Sequence, residues 1–254
     1  MQDVPDPIAG AGEVVIDVHR VGVCGTDVEF WTGEMTYLHQ GHAQYPMRLG
    51  HEWCGTVSAI GRDVDACWLG RRVTGDTMIG CGHCDRCLAG RHNVCAERFE
   101  IGIRGGFPGA LAEQIRVPTR ALLALPDSVD DAAGAMVEPG GNAIRALQAA
   151  AVSAGDRLLV LGSGTIGLLV ADLAAADGVE VWLREDLPEL VFDAVIDASN
   201  AAGLPALALE LVEPGKRLVY VRLAGSPSLI DTRALALKDV TAVGILAGSQ
   251  GLAG

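Results

Sequence analysis

Arg157-Leu158-Leu159-Val160-Leu161-Gly162-Ser163-Gly164-Thr165-Ile166-Gly167 is the stretch on which the fold turns. The apolar run ending at Leu161 suits a strand buried on both faces of a parallel sheet. The glycines follow the G-x-G-x-x-G spacing, and residues 168–176 have helical composition. The first glycine allows a tight turn, the second lets the backbone approach a pyrophosphate, and the third lets helix and strand pack closely. A helix N-terminus placed there offers free N–H groups to phosphate. In a chain with 33 glycines the spacing alone is weak, and a purely structural turn is the alternative. The strand before it and the helix after it favour a dinucleotide site at Gly162, Ser163, Gly164, Thr165, Ile166 and Gly167. Further strand-like runs at 179–183, 193–197, 217–221 and 240–246 alternate with helical stretches. The spacing therefore predicts a parallel α/β domain over 127–254.

Towards the N-terminus the texture changes. Residues 1–126 read as a separate, β-rich domain with long loops, its clearest strands at 12–18 and 52–60. Residues 128–151 read as helical with an interruption around Pro139-Gly140-Gly141. The 254 residues suffice for two domains, and 50% apolar with 20% charged residues is a globular composition. The net charge of −13 comes without a basic stripe, which argues against nucleic acid or an anionic membrane as partner. No apolar run reaches the roughly 18 residues of a membrane span, and the N-terminus lacks a signal pattern, so a cytoplasmic protein is expected. Self-association is left open.

Seven cysteines remain. Cys81, Cys84, Cys87 and Cys95 form a C-x2-C-x2-C-x7-C cluster, where disulfides would close very small loops and the odd total leaves a thiol over. Four thiolates closing a tetrahedral zinc site fit better. Gly80, Gly82 and Gly90 permit the turns, and Arg86, Arg91 and Arg98 are candidates to offset the excess negative charge. Cys54 and Cys67 fit no motif and read as small buried residues.

Cys24, in Val21-Gly22-Val23-Cys24-Gly25-Thr26-Asp27, and His51, in Gly50-His51-Glu52-x2-Gly55-x5-Gly61-x2-Val64, complete the set. These two segments, the cysteine cluster and the glycine turn stand in the order found in the zinc-containing medium-chain dehydrogenase/reductase family, the alcohol and polyol dehydrogenases, which the chain resembles over most of residues 13–170. The resemblance implies a GroES-like β-barrel catalytic domain followed by a shortened Rossmann domain, a doubly wound parallel sheet. It implies a catalytic zinc held by Cys24, His51 and Glu138, with Glu52 beside them as a supporting group or alternative ligand, and a structural zinc at the four cysteines. Asp27 would orient His51, and Thr26 would take the proton of the alcohol. The reaction implied is hydride transfer between a secondary alcohol or polyol, the small-molecule partner, and NAD or NADP. Glu29 stands where relatives often carry a histidine.

Three departures from that pattern accompany the resemblance. Met1 lies eleven residues before the Gly12-Glu13-Val14-Val15 strand, so the family's opening strand is expected to be missing, and the sequence closes soon after the 240–246 run, where relatives continue. Only residues 184–191 separate two strands between which the family places a helix, a strand and a further connection. Eight extended residues reach about 26–29 Å, against about 20–22 Å needed to return along one strand and cross two spacings. A nearly straight parallel connection is thus feasible, an antiparallel hairpin is the alternative, and either leaves one sheet face with less cover. Glu185 stands nearest the place of the ribose-binding acid, although its neighbour Arg184 equally suits a 2′-phosphate, and NAD is weakly favoured. A zinc-bound remnant with little turnover is the second reading.

Overall fold

The computed structural model describes residues 3–183, 190–221 and 227–249. Contacts divide the chain into two compact units, Met1–Glu138 and Pro139–Gly254. In the first unit β1 (Glu13–Gly22), β2 (Glu52–Ile60), β3 (Arg72–Gly75), β6 (Gln114–Pro118) and β7 (Leu122–Ala124) form one antiparallel sheet in the order β6-β1-β2-β3-β7. β4 (Met78–Ile79) pairs with β5 (Phe99–Glu100). The helices of this unit are short: α1 (Gly25–Thr32), α2 (Thr36–His39), α3 (Asp85–Leu88) and α4 (Asp131–Ala135).

Alternation along β1 sends Val14 and Ile16 into a core with Trp53, Val57, Val73, Ile115 and Val117, all at most 1% exposed. The β1–β2 ladder shifts register between Val15 and Ile16 and again between Val18 and Arg20. Such bulges sharpen the local twist. The Asp130 side chain accepts a hydrogen bond from Ala133 N at 2.8 Å and starts α4. Gly134 lets this helix lie against the sheet, since a Cβ there would stand 3.0 Å from that of Cys54. Residues 127–138 therefore belong by contact with the β-rich unit, beyond the expected division at 126/127.

The second unit holds α5 (Val137–Ala150) from Pro139 onward, β8 (Arg157–Leu161), α6 (Thr165–Ala176), β9 (Glu180–Leu183), β10 (Phe192–Asp197), α7 (Leu204–Leu211), β11 (Val212–Tyr220), α8 (Thr232–Leu237) and β12 (Thr241–Gly244). Its five described strands are all parallel, in the order β12-β11-β10-β8-β9. The helical stretch is not interrupted at Pro139-Gly140-Gly141. The break falls at Met136, and α5 runs through all three residues. Pro139 is the third residue of α5, where a backbone N–H has no partner within the helix, so the proline removes no hydrogen bond.

β8 pairs with β9 on one side and β10 on the other, both in parallel register, which excludes the antiparallel hairpin. Residues 184–189, among them Arg184 and Glu185, lie outside the described residues. Cover over the sheet is less affected than expected. One face packs under α5 and α6 through Ala143, Ala146, Val170 and Ala174. On the other, Leu159, Leu161, Val195 and Leu218 are fully buried against Leu204, Ala208 and Leu209 of α7. Above β9 the half-buried Trp182 stands edge-on to Phe192, ring centres 5.6 Å apart. Among the described residues no helix is long and apolar enough to cross a membrane.

Asp193 ties three strands together. Its carboxylate accepts from Arg157 N at 2.9 Å and Arg157 Nε at 3.2 Å, and pairs with Lys216 Nζ at 2.9 Å. Burial alone would raise its pKa, but the Arg157 N–H and the Lys216 and Arg157 side chains outweigh it and hold the group at about 2. A folded-state pKa below the unfolded value of about 3.9 stabilises the fold above that pH and is lost as pH falls through about 2. Asp193→Asn is expected to cost about 1–2 kcal/mol at neutral pH. Urea unfolding of both proteins should show that difference shrinking as pH drops below about 4; a constant difference would refute the ion-pair account.

Candidate active site

β1 ends at Gly22, and two residues later Cys24, in extended backbone at φ −91° and ψ 162°, caps α1. Asp27 sits in the first turn of that helix, 4% exposed. Its Oδ2 accepts from Cys24 N at 2.9 Å and its Oδ1 from Gly50 N at 3.0 Å, so one carboxylate joins the two segments. Gly50 has φ 93°, and a Cβ there would stand 2.8 Å from Leu111 N, so only glycine fits.

His51 follows, 4% exposed, with Nδ1 3.7 Å from Asp27 Oδ1 and without a hydrogen-bond partner. Its carbonyl accepts from Thr77 Oγ1 at 3.2 Å. Glu52 opens β2, 6% exposed and directly opposite Gly22 in the ladder. Cys24 Sγ, a His51 ring nitrogen and a Glu52 carboxylate oxygen lie within 4.8 Å of one another. A half-buried thiol beside a buried imidazole and a buried carboxylate is a donor set that fits zinc. Burial pushes the His51 imidazole down, yet Asp27, Cys24 and the charge of Glu138 together carry it well above the ordinary histidine value. Burial raises the Glu52 carboxyl, against the pull of His51.

Glu138, in the first turn of α5 and 9% exposed, is thus near enough to act on His51 through its charge, although it is not one of the three donors within 4.8 Å. Thr26 is the second residue of α1, half-buried and next to Asp27. Sequence reasoning missed Gly22. A Cβ at this position would lie 2.2 Å from Glu52 Oε2, so the bare glycine makes the bed for that carboxylate. The β1–β2 register was the signal that would have revealed it.

The four lobe cysteines are all free thiols, their sulfurs within 4.8 Å of one another, with Cys81–Cys87 at 3.9 Å and Cys84–Cys95 at 3.8 Å. A set of this kind fits a closed zinc site. Gly80 is required here, since a Cβ would stand 2.6 Å from Cys87 Sγ. The backbone N–H groups of His83 and Cys84 hold the Cys81 thiol down to about 6, ready to ionise. Arg86 donates to Val94 O at 2.8 Å and braces the lobe, and Arg98 pairs with Glu100 at 2.8 Å while its Nη1 donates to the Cys95 carbonyl at 3.3 Å. Cys54 is fully buried, as expected. Cys67 is exposed instead, because it lies in the surface turn Ala66–Trp68 capped by Asp65.

At the β8–α6 turn Gly162 has φ 108°, and a Cβ there would meet Ala198 O at 2.9 Å. A Cβ on Gly167 would come within 1.9 Å of Gly162 O, which locks helix to strand. Gly164 caps α6 with nothing within 4 Å of a Cβ, so the space beside it is open for a ligand. Ser163, Thr165 and Ile166 complete the turn. With β9 and β10 on opposite sides of β8, the turn lies at the point where the strand order reverses, the usual place for ligands in such sheets. Asp197, 4% exposed at the end of β10, accepts from Ser199 N at 2.9 Å and shapes the adjoining loop, and burial raises its carboxyl. Nothing in the sequence pattern singled it out.

The family model for the alcohol dehydrogenase GroES-like domain matches residues 10–127. L-threonine 3-dehydrogenase of Edwardsiella ictaluri is 30% identical over 278 residues, which span 96% of this chain and 80% of that protein. L-threonine 3-dehydrogenase of Legionella pneumophila is 34% identical over 171 residues, 67% of this chain and 49% of that protein, so the matched stretch spans about half the length of that relative. Among solved structures, one described as a zinc-binding dehydrogenase from Sinorhizobium meliloti, bound to NADP, superposes with a TM-score of 0.88 at 26% identity, over 99% of this chain and 83% of that one.

Gly22→Ala is expected to displace the Glu52 carboxylate, whose Oε2 would stand 2.2 Å from the new methyl, while the Glu52 Cβ at 3.0 Å needs only a small adjustment. Metal content at the Cys24–His51 site should fall with the melting temperature almost unchanged; an unaltered metal affinity would show that Glu52 is not a donor. Cys87→Ser is expected to lose one zinc equivalent and destabilise the first unit. Full metal retention, measured by elemental analysis, would refute the closed lobe site.

Proposed function

This chain belongs to the zinc-containing medium-chain dehydrogenase/reductase family, and we propose that it is a zinc-dependent oxidoreductase moving a hydride between a secondary alcohol or polyol and NAD or NADP. The observation that carries this reading is the Cys24–His51–Glu52 donor set, its imidazole and carboxylate buried, with the charge of Glu138 acting on His51. Zinc, when bound, polarises the alcohol oxygen and lowers its pKa, and the nicotinamide ring accepts the hydride.

The chain's own residues do the rest. Cys24 and His51 hold the metal, with Glu52 or Glu138 as the carboxylate donor, and one thiolate, one imidazole and one carboxylate balance a doubly charged ion. Asp27 keeps the two ligand segments in place and faces the second nitrogen of His51. Thr26 takes the alcohol proton. Gly162, Gly164 and Gly167, with the free N–H groups opening α6, hold the pyrophosphate. A second zinc at Cys81, Cys84, Cys87 and Cys95 is structural.

L-threonine, whose 3-hydroxyl is a secondary alcohol, joins the polyols as a candidate substrate because it names the reaction of two relatives. The second reading, a zinc-bound remnant with little turnover, draws on the eight-residue span between β9 and β10.

Turnover is checked by nicotinamide absorbance on a panel of polyols and L-threonine. Cys24→Ser or His51→Ala should abolish it while the lobe zinc stays bound, and normal activity in a variant without the Cys24–His51 metal would sink the zinc mechanism. The dinucleotide is expected to bind weakly, held mainly through its phosphates. Each lost charge-assisted hydrogen bond to ribose costs about 1.5–3 kcal/mol, or roughly ten- to hundredfold in affinity. Calorimetric titration should then give dissociation constants approaching millimolar for NAD and NADP. A low-micromolar constant with strong discrimination between them would remove the remnant reading.

A further inference from the structure

We propose that Cys81, His83 and Glu97 form an outer zinc site on the cysteine lobe, sharing the Cys81 sulfur with the four-cysteine site. This goes beyond the dehydrogenase reading and rests on it only for the inner zinc. The three donor atoms lie within 4.8 Å of one another, and the His83 and Glu97 side chains are exposed at the surface of the lobe. They stand at the rim of a cavity of about 310 Å³ lined also by Cys84, Asp85 and Arg86.

The chemistry of the group is that of a zinc site. Thiolate, imidazole and carboxylate are all ordinary zinc ligands, and three protein donors leave a position open to water. A thiolate sulfur carries lone pairs enough to bridge two ions. His83 is set for this role, because its Nδ1 lies 3.1 Å from the Cys81 carbonyl oxygen. Donating there places the proton on Nδ1 and leaves the Nε2 lone pair for a metal, the support that ligating histidines usually have. Electrostatics point the same way. Four thiolates around one zinc leave two negative charges, Glu97 and Asp85 add to them at the rim, and Arg86 is the cation lining the same cavity. A further divalent ion relieves that excess. Exposure of His83 and Glu97 makes this ion weaker and faster to exchange than the inner one.

The test compares the zinc-loaded full chain with His83→Ala/Glu97→Gln and with Asp85→Asn, a rim acid outside the triad. Both proposed ligands are exposed, so the variants keep the fold, and circular dichroism checks that they do. Equilibrium dialysis against free zinc from nanomolar to high micromolar should show the full chain and Asp85→Asn taking up one equivalent more than the double variant. Equal uptake in the double variant, or the same loss in Asp85→Asn, overturns the outer site. Cys87→Ser, measured alongside, reports on the inner zinc separately, so failure of the four-cysteine reading is told apart from failure of this one.

Discussion

Asp27 accepts hydrogen bonds from Cys24 N at 2.9 Å and Gly50 N at 3.0 Å, and both segments of the proposed metal site take their positions from that carboxylate. Cys24 and His51 are far apart in the chain, one capping a helix and the other leading into a strand. Without a shared anchor each loop would wander independently, and the Cys24–His51–Glu52 cluster within 4.8 Å would not persist. The carboxylate itself is only 4% exposed, which is costly unless its oxygens are occupied. Two backbone N–H groups occupy them, and although burial works the other way, these hydrogen bonds and the imidazole 3.7 Å away keep Asp27 below the usual carboxylate range. Strand register then brings the Glu52 carboxylate beside them, where Gly22 leaves it space.

Much of this was legible in the sequence because the motifs are local. A glycine turn between an apolar run and a helix, four cysteines within fifteen residues, and His51 beside Glu52 each declare themselves within a short window. β2 and β8 were legible to the residue for the same reason. What escaped depends on partners distant in sequence. The bed that Gly22 makes for Glu52 is a cross-strand pair, and Asp197 owes its burial to parallel neighbours that composition does not reveal. Pro139 was misjudged because residue type alone does not say which turn of a helix it occupies, and in the first turn a proline is harmless. Cys67 was misplaced by the same shortcut, residue type in place of environment.

The parallel sheet shows how a shortened connection is accommodated. β9 and β10 keep their places on either side of β8 although few residues join them. α7 packs over β10 and β11, and Trp182 lies against Phe192 to fill the face above β9. Asp193 adds an electrostatic clasp between β8, β10 and the start of the β11 ladder, so the centre of the sheet is fastened by charge as well as by apolar burial.

That clasp joins residues only 36 apart in the chain, whereas the hydrogen bond from Thr119 to Gly12, just past the paired ends of β6 and β1, spans 107. Closing the longer loop costs about 1 kcal/mol more chain entropy on the logarithmic scaling of loop closure. The two contacts therefore differ in the chain entropy that must be overcome to form them. β8 and β10 meet across a short stretch of chain, while β1 and β6 are drawn together across most of the length of the first unit.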